Sequence, residues 1–299
     1  MLNRQRLLLL ILREAGGAAS RLEVMKWAFL IREETATRGG PAYFQFLPYK
    51  YGPYSFCLYQ EAAALSRYGL IEEADERTWA VSRDGVAATR GVNKHVRADV
   101  IAIVDRLRRM ASKALLRYVY EHYPWYTAKS ELGSKVDLPI APAMVYTAGY
   151  EGLLVDGFLN GLLKHGIRRV VDVRNNPISR RYGFHKATLS RLCGYIGLEY
   201  AHFPELGIDS ASRQGVAETD GYSALFHRYE RAVLPKYSGA IHRVAALIQE
   251  MPSVLVCMEA DPACCHRSRL AKAIAGVSGL PVQHLELREC QPSLKKPVF

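Results

Sequence analysis

The sequence predicts an α/β protein in which a parallel, doubly wound sheet forms the C-terminal domain, after an N-terminal winged helix-turn-helix domain and a helical connector. Apolar strands alternate with helical patterns after residue 143, which implies parallel pairing through right-handed crossovers. Three helical patterns and then a hairpin occupy residues 1–92, and a Pro-containing stretch lies at residues 133–142. We therefore predict domains at residues 1–92 and 143–299, joined by a connector and linker at residues 93–142.

The first domain shows the pattern of a winged helix. Helices are predicted at residues 3–15, 20–34 and 55–68, and the second begins at Ser20-Arg-Leu-Glu23, which has the form of a capping box. Residues 48–54 are predicted as a rigid aromatic turn. Two short strands around a charged turn at residues 70–81 would form the wing. The connector is predicted as one long helix at about residues 93–123.

The second domain is predicted from the alternation of apolar strand patterns with helical patterns along the chain. Strands are expected at residues 145–148, 169–174, 199–203, 254–258 and 281–287. Helices are expected at residues 155–165, 186–196, 222–249 and 267–277.

Charge predicts a polyanionic partner. The formal net charge is +11 and the pI is near 9.4, and basic residues gain affinity for nucleic acid by releasing phosphate counterions. One short span concentrates them, with only Asp172 opposing: Lys164, Arg168, Arg169, Arg174, Arg180, Arg181, Lys186 and Arg191. Nucleic acid, DNA first, is favoured over small acidic ligands. The predicted DNA contacts are Lys50, Arg67, Arg77, Lys164, Arg168, Arg181 and Lys186.

Other partners and compartments are constrained by what the sequence lacks. It has no 18-residue apolar run, and the apolar stretch at residues 7–12 is too short for a membrane span or signal peptide. We therefore predict no membrane partner. Six cysteines without disulfide-scaffold density fit reduced thiols in a cytoplasm. A homodimer is considered as a second possible partner.

Two predicted strands end in polar residues. After the first comes Gly149-Tyr150-Glu151-Gly152, where glycine permits close backbone approach to a ligand; the alternative, which the lone motif favours, is an ordinary turn between a strand and a helix. The second ends with Asp172-Val-Arg174, in which Asp172 lies within an otherwise apolar strand, and polar residues continue to Ser179 and Arg180. One interpretation is a structural ion pair between Asp172 and Arg174. The other is a phosphate clamp by Arg174 and Arg180, with Asp172 as orienting group, acid or base.

A third strand end, at residues 258–267, carries the most chemistry. Glu259 directly follows a buried strand, so desolvation would raise its pKa. Cys265 at a helix start beside His266 and Arg267 would have a lowered pKa, as a nucleophilic thiolate requires. The alternative is a buried structural cysteine with ordinary polar neighbours. No Cys-x5-Arg signature is present, and Cys264, Cys265 and His266 are contiguous and would compete as ligands, so neither a metal nor a cofactor is predicted.

These motifs together resemble the domain-of-unknown-function 488 family. The resemblance covers residues 144–290 and is carried by Gly149-Tyr-Glu-Gly, Asp172-Val-Arg-x-x-Pro-x-Ser179, Phe184-x-Lys186, Tyr200, Pro204-x-Leu-Gly207 and Cys257-x-Glu-x-Asp-x-x-x-Cys-His-Arg267. It implies a parallel α/β fold and DNA repair or nucleotide handling. The doubled Cys264-Cys265 departs from the single cysteine that is usual. Residues 46–54 resemble winged-helix domains with a Phe-x-Pro-Tyr-x-Tyr-Gly-Pro-Tyr core, which implies DNA association near defence or toxin–antitoxin systems.

Three functional hypotheses follow. The first is an enzyme acting on nucleic acid or nucleotides, with base or N-glycosidic chemistry in DNA repair or anti-phage defence. Its predicted catalytic residues are Asp172, Glu259, Cys265 and His266, and its predicted anion-binding or nucleotide-binding residues are Gly149, Tyr150, Glu151, Arg174, Ser179, Arg180 and Arg267. The second is a non-catalytic winged-helix regulator that senses a nucleotide or modified base. The third is a scaffold. All functional versions require the three strand ends to meet in an electropositive, carboxylate-bearing hollow.

Overall fold

The computed structural model describes residues 1–133, 135–209 and 219–287, with side chains for all of these except residues 219–223. The chain divides into two compact units, Met1–Asp137 and Leu138–Glu289. Among the described helices, none combines the length and apolar character that a membrane span requires.

Unit 1 contains six helices and five short strands in its described part. The helices are α1 (Asn3–Glu14), α2 (Arg21–Glu34), α3 (Phe56–Arg67), α4 (Arg83–Ala88), α5 (Lys94–Leu107) and α6 (Ser112–His122). The strands are β1 (Ala18–Ser20), β2 (Leu47–Tyr49), β3 (Gly52–Tyr54), β4 (Ile71–Asp75) and β5 (Thr78–Val81). Strands β1, β5 and β4 pair antiparallel in that order. Two 3₁₀ turns complete the described part of this unit: Thr89–Gly91 lies between α4 and α5, and Pro124–Thr127 comes after α6.

Local sequence signals explain how several of these elements begin. The predicted capping box at α2 is confirmed, since Ser20 Oγ accepts from the Glu23 N–H and the Glu23 carboxylate accepts from the Ser20 N–H. Helix α1 buries all six residues from Leu7 to Leu12, because it contacts α2, α3, α4 and α5 on different sides.

Two local predictions in unit 1 are wrong. The aromatic segment at residues 48–54 is a hairpin, in which Leu47 pairs with Tyr54 and Tyr49 with Gly52. The connector is two helices, α5 and α6, separated by residues 108–111. Its apolar stripe looks continuous in the sequence, but α5 packs on α1 and α2 whereas α6 packs on α2 and β3. Periodicity reports which positions are buried and does not report how many partners bury them.

Unit 2 is an α/β unit with a five-stranded parallel sheet, as predicted. The strands, in chain order, are β6 (Val145–Gly149), β7 (Arg169–Asp172), β8 (Glu199–His202), β9 (Ser253–Cys257) and β10 (Val282–Leu285). Their order across the sheet is β10-β6-β9-β7-β8. The helices are α7 (Val155–Lys164), α8 (Lys186–Tyr195), α9 (Thr219–Arg228), α10 (Leu234–Lys236), α11 (Ser238–Glu250) and α12 (His266–Ser278).

The single helix predicted at residues 222–249 is wrong. A π-helical turn at Tyr229–Val233 and the three-residue α10 interrupt it, and α11 begins only at Ser238. Pro235 lies at this interruption and cannot donate the backbone hydrogen bond that a continuous helix needs.

The sheet topology makes β9 the strand at which the connections reverse. The chain moves from β6 to β7 and on to the edge strand β8, then back through β9 to β10. The connection that leaves β9 therefore runs in the opposite direction to those that leave its neighbours β6 and β7. Strands β7 and β9 are wholly buried, as central parallel strands are. In open α/β sheets ligands bind at the carboxyl ends of the strands where such a reversal occurs. The fold therefore directs attention to the residues that follow Cys257.

Candidate functional site

The loops after β6 and β9 are joined through their backbones. The N–H groups of Tyr150 and Glu151 donate to the Met258 carbonyl at 3.1 and 2.9 Å, and the Ala260 N–H donates to the Glu151 carboxylate at 3.0 Å. A Cβ added at Gly149 would lie 1.8 Å from the Glu259 carbonyl oxygen. Glycine is needed at this position because another strand end approaches it, rather than a ligand as we expected from the sequence.

Asp172 and Arg174 form the structural ion pair that was one of the two interpretations. Arg174 Nε donates to Asp172 Oδ1 at 2.8 Å and Nη2 donates to Oδ2 at 2.5 Å, while Nη1 donates to the Tyr150 hydroxyl and the Phe184 carbonyl, both at 2.9 Å. Asp172 is fully buried, and Arg174 is 5% exposed. The Tyr200 hydroxyl donates to Asp172 Oδ2 at 2.6 Å. The predicted role of Arg174 in a phosphate clamp is not supported, because the N–H groups of its guanidinium already donate to Asp172, Tyr150 and Phe184.

Arg267 is likewise engaged with the protein itself. It is 1% exposed. Its Nη1 donates to the Glu259 carbonyl and its Nη2 to the Ala260 carbonyl at 2.9 Å. Its Nε lies 3.4 Å from Thr147 Oγ1. The guanidinium therefore holds the loop after β9, and the anion-binding role predicted for Arg267 is corrected.

Four side chains meet at the carboxyl end of β9. Glu259 Oε2 accepts hydrogen bonds from the Cys257 thiol at 3.1 Å and the Cys265 thiol at 3.0 Å. The Nδ1 of His266 lies 3.7 Å from the sulfur of Cys257 and 3.9 Å from that of Cys265. The two cysteines and the histidine are buried, whereas Glu259 is partly exposed. We call Cys257, Glu259, Cys265 and His266 the β9 cluster.

The protonation behaviour of the β9 cluster differs from both predictions. Burial strongly raises the pKa of Cys265, outweighing His266 and leaving the thiol protonated near neutral pH. The predicted lowering of the Cys265 pKa is therefore wrong, and a catalytic role for this residue stays a prediction. Burial also acts to raise the pKa of Glu259, but hydrogen bonds from Cys265 and Cys257 outweigh it and leave the pKa below its usual value. The helix start and the buried strand were visible in the sequence, but the packing around each group was not.

The orientation of His266 is fixed from both sides. Its Nε2 lies 3.2 Å from the Val173 carbonyl, and because a carbonyl only accepts, Nε2 carries a proton and donates to it. When the ring is neutral, the unprotonated nitrogen is then Nδ1, which faces the two sulfur atoms. The Tyr229 ring packs edge-on against the imidazole at 5.5 Å. The sheet, through Val173, and the π-helical turn, through Tyr229, both hold this ring.

Sequence reasoning missed Cys257, which ends β9 and was counted as an apolar strand residue. It had instead grouped Cys264 with Cys265 and His266, but Cys264 is exposed, lies in a 3₁₀ turn and has its sulfur 3.8 Å from Asp261 Oδ2. The available signal was a second cysteine immediately before the loop that carries Glu259.

The basic residues near β7 do not form one surface. Lys164 ends α7 and Arg168 directly precedes β7, so both lie at the amino edge of the sheet, and Arg168 donates to the Pro139 carbonyl at 2.8 Å. Arg169 is buried and pairs with Glu199 and Glu250. The carboxyl edge carries a second group, which is exposed: Arg180, Arg181 and Lys186. Ser179 Oγ accepts from the Arg181 N–H at 3.1 Å. The prediction of one basic cluster opposed only by Asp172 is wrong.

The DNA contacts predicted in unit 1 are exposed but scattered. Lys50 lies between β2 and β3 and pairs with Glu131 at 3.0 Å. Arg67 ends α3, and Arg77 lies in the turn between β4 and β5. That hairpin is acidic, with Glu72, Glu73, Asp75 and Glu76 exposed around Arg77.

A cavity of about 350 Å³ lies at the ends of β6, β9 and β10. Its lining includes Glu151, Asp261, Glu286, His284 and the engaged Arg267. Three carboxylates and an arginine already bonded to carbonyls make it unsuited to an anion. The carboxylates agree with the carboxylate-bearing part of the predicted hollow, whereas its electropositive part is not found in the described lining of this cavity.

The fold and the β9 cluster define an α/β unit with its polar chemistry at the carboxyl edge of a parallel sheet. The family described as "Domain of unknown function DUF488" matches residues 155–274, which supports the resemblance seen in the sequence and includes the whole β9 cluster. No curated protein and no solved structure matches the chain.

Proposed function

We propose that the chain is a cytoplasmic DNA-binding protein whose α/β unit acts chemically on nucleic acid or nucleotides at the β9 cluster, in DNA repair or anti-phage defence. The observation that carries this proposal is the position of Glu259. It is a partly exposed carboxylate at the carboxyl end of the strand where the connections reverse, in contact with two thiols and beside an oriented imidazole. Cys193, Cys257, Cys264 and Cys265 form no disulfide among the described residues, which is consistent with a reducing compartment.

The chemistry assigned to Glu259 is that of a held carboxylate. Two thiols donate to one of its oxygens, so the group is oriented rather than swinging freely. A carboxylate in such a position can take a proton from an attacking water or stabilise positive charge that develops on a sugar carbon. Both are steps that cleavage of an N-glycosidic bond requires. We do not assign His266 a proton transfer, because its Nε2 donates to the Val173 carbonyl. Its role in the proposal is to hold its ring in a fixed orientation beside the two sulfur atoms.

Phosphate recognition is assigned to exposed basic residues whose side chains form no ion pair in the described structure. Arg180, Arg181 and Lys186 lie on the connection between β7 and the start of α8, at the same edge of the sheet as Glu259. Unlike Arg174 and Arg267, they have side chains exposed to solvent. They replace those two arginines as the anion-binding groups of unit 2.

Unit 1 is assigned the docking of duplex DNA as a winged helix. The order α1, β1, α2, α3, β4, β5 with an antiparallel β1-β5-β4 sheet supports this assignment. Because the β4–β5 hairpin is acidic, we assign the phosphate contacts to the turn between α5 and α6. Arg109 lies in this turn and Lys113 and Arg117 lie in the first half of α6; all three are exposed and form no ion pair in the described structure.

The test is to incubate the full chain with single-stranded and duplex DNA containing normal and modified bases and to analyse the DNA by mass spectrometry. The proposal predicts a product of altered mass from at least one substrate. DNA that is bound but unaltered across the whole set would instead establish the alternative, a non-catalytic regulator. Asp172, Arg174 and Arg267 form hydrogen bonds within the protein. This favours the non-catalytic alternative, because these residues are then not available to act with Glu259 on a substrate. Absence of DNA binding would contradict both.

A further inference from the structure

We propose that Cys257, Cys265 and His266 bind a divalent zinc ion. Each offers one ligand atom, and the three atoms lie within 4.8 Å of one another. Zinc binding is measurable whether or not the protein acts on DNA. It releases the two thiol protons, so the hydrogen bonds from Cys257 and Cys265 to Glu259 belong to the metal-free state. The proposal reverses the expectation of no metal, which rested on the contiguous Cys264, Cys265 and His266.

The spacing of the ligand atoms fits tetrahedral coordination. With zinc–sulfur bonds of about 2.3 Å and zinc–nitrogen bonds of about 2.0–2.1 Å, a tetrahedral ion separates a sulfur from a nitrogen by about 3.6 Å. The Nδ1 of His266 lies 3.7 Å from one sulfur and 3.9 Å from the other. Only small side-chain movements would bring both pairs to the tetrahedral separation.

The histidine is prepared as a ligand by its own hydrogen bond. Metal-binding histidines commonly donate their second ring N–H to a carbonyl or carboxylate, which fixes the tautomer and aims the other nitrogen at the metal. His266 does this, with Nε2 donating to the Val173 carbonyl and Nδ1 facing the two sulfurs. Ordinary packing of a buried histidine would not require its free nitrogen to face two thiols.

The donor set identifies the class of metal. Two thiolates and one imidazole suit zinc and other soft transition metals and exclude magnesium and calcium, which prefer oxygen. Three protein ligands leave a fourth position, as in catalytic zinc sites. Glu259 Oε2, at 3.1 and 3.0 Å from the two sulfurs, stands beside the ligand set. We assign Glu259 to the solvent side of the site rather than to the ligands.

The ligands are also held by regular structure. Cys257 is the last residue of β9, Cys265 is the N-cap of α12 and His266 is its first residue. Strand β9 and helix α12 contact each other directly. A site built on a strand end and a helix start keeps its geometry better than one on loops.

The experiment uses the full chain, purified with reductant, dialysed against zinc sulfate and then freed of excess metal. We expect about one zinc ion per chain by elemental mass spectrometry, and the visible absorption of tetrahedral cobalt thiolate when cobalt chloride replaces zinc. Cys257→Ser, Cys265→Ser and His266→Gln should each weaken zinc binding by more than about a hundredfold in competition with a chromophoric chelator, since even residues outside the ligand set cost about 10–100-fold.

Cys264→Ser is the matched control, because Cys264 adjoins the site but is exposed, and it should bind zinc as the wild type does. Glu259→Gln should also keep its zinc. Circular dichroism identifies any ligand variant that fails to fold. Such a variant is set aside, and the cobalt spectrum of the wild type then tests whether the site binds metal through thiolates. Absence of zinc and of cobalt thiolate absorption in the wild type would overturn the proposal. So would full retention of zinc in a folded Cys257→Ser variant, or a Cys257–Cys265 disulfide that persists under reductant and excludes zinc.

Discussion

Arg174 binds Asp172, two residues before it in the chain, through two parallel hydrogen bonds in the buried interior of unit 2. Tyr200 donates a third hydrogen bond to the same carboxylate, and burial together with the Asp172 charge raises the pKa of this tyrosine so that it stays protonated. The pair ties β7 to β8 through Tyr200 and to the loop after β6 through Tyr150. The Asp172–Arg174 pair therefore helps to fix the positions of the loops at the carboxyl edge of the sheet.

Asp172→Asn should destabilise unit 2 strongly. The change keeps the shape but leaves the Arg174 charge buried without its counter-ion, which costs about 3–5 kcal/mol. Urea unfolding followed by far-UV circular dichroism measures the loss. Glu286→Gln, at an exposed position of the same unit, should change the free energy of unfolding by less than about 0.5 kcal/mol. Equal stability of Asp172→Asn and wild type would show that the pair is not a structural one.

Gly149→Ala should force β6 away from the loop after β9. The new methyl group would sit 1.8 Å from the Glu259 carbonyl oxygen, and relief of such an overlap costs about 1–3 kcal/mol or more. Gly276→Ala is the control of opposite sign, because nothing lies within 4 Å of a Cβ there and alanine is favoured by about 0.5–1 kcal/mol inside a helix. Circular dichroism melts of both variants give the comparison. A stabilised Gly149→Ala protein would refute the close contact.

Lys26→Met should change how the stability of unit 1 depends on pH. Lys26 is buried, with Nζ donating to the Pro53 carbonyl at 2.9 Å, and burial lowers its pKa from 10.5 to about 7. Between these values the unfolded chain binds more protons, so Lys26 makes stability rise with pH, by at most about 1.4 kcal/mol per unit. Below about pH 7 its burial penalty is fully present.

The advantage of Lys26→Met over wild type should therefore shrink as the pH rises from about 7 to about 9.5. Tryptophan fluorescence measures it selectively, because Trp27, Trp79 and Trp125 all lie in unit 1. Taking the difference between the two proteins removes the contributions of tyrosines and thiols that titrate in the same range. A difference that stays constant with pH would mean that Lys26 remains charged in the folded protein.

Replacing Arg109, Lys113 and Arg117 together by Gln should weaken DNA binding and flatten its salt dependence. Each phosphate contact contributes about −0.9 to the slope of log K against log salt, so the slope should fall in magnitude by up to about three. Fluorescence anisotropy over a range of salt concentrations measures it. Lys50→Gln, whose charge is already paired with Glu131, should leave the slope almost unchanged. An unaltered slope in the triple variant would remove this turn from the DNA interface.

The sequence was sufficient for the parts of the fold that depend on local pattern. Alternation of apolar strands with helices predicted the parallel sheet, and the spacing of Asp172 and Arg174 placed both on one side of a strand end. The partners of Arg169 could not be predicted, because Glu199 and Glu250 come from distant segments. Charges that cluster in the sequence were therefore mistaken for a surface that clusters in space.

The β9 cluster shows the same limit at the level of chemistry. The helix start beside Cys265 suggested a lowered pKa for its thiol, but burial, together with the neighbouring Cys257, raises it. The return of the chain through the 3₁₀ turn at Pro262–Cys264 brings Cys265 back to Cys257. The local sequence pattern does not show that the loop between β9 and α12 returns Cys265 to the end of β9.

The most direct test of the central claim compares the DNA products of the wild type, Glu259→Gln and Glu286→Gln at matched DNA occupancy. We predict the same altered DNA mass with the wild type and Glu286→Gln. With Glu259→Gln the reaction should be slower by about 10²–10⁴-fold, with unchanged DNA affinity. A Glu259→Gln protein that converts DNA at the wild-type rate would contradict the assignment of the β9 cluster as the site of the chemistry.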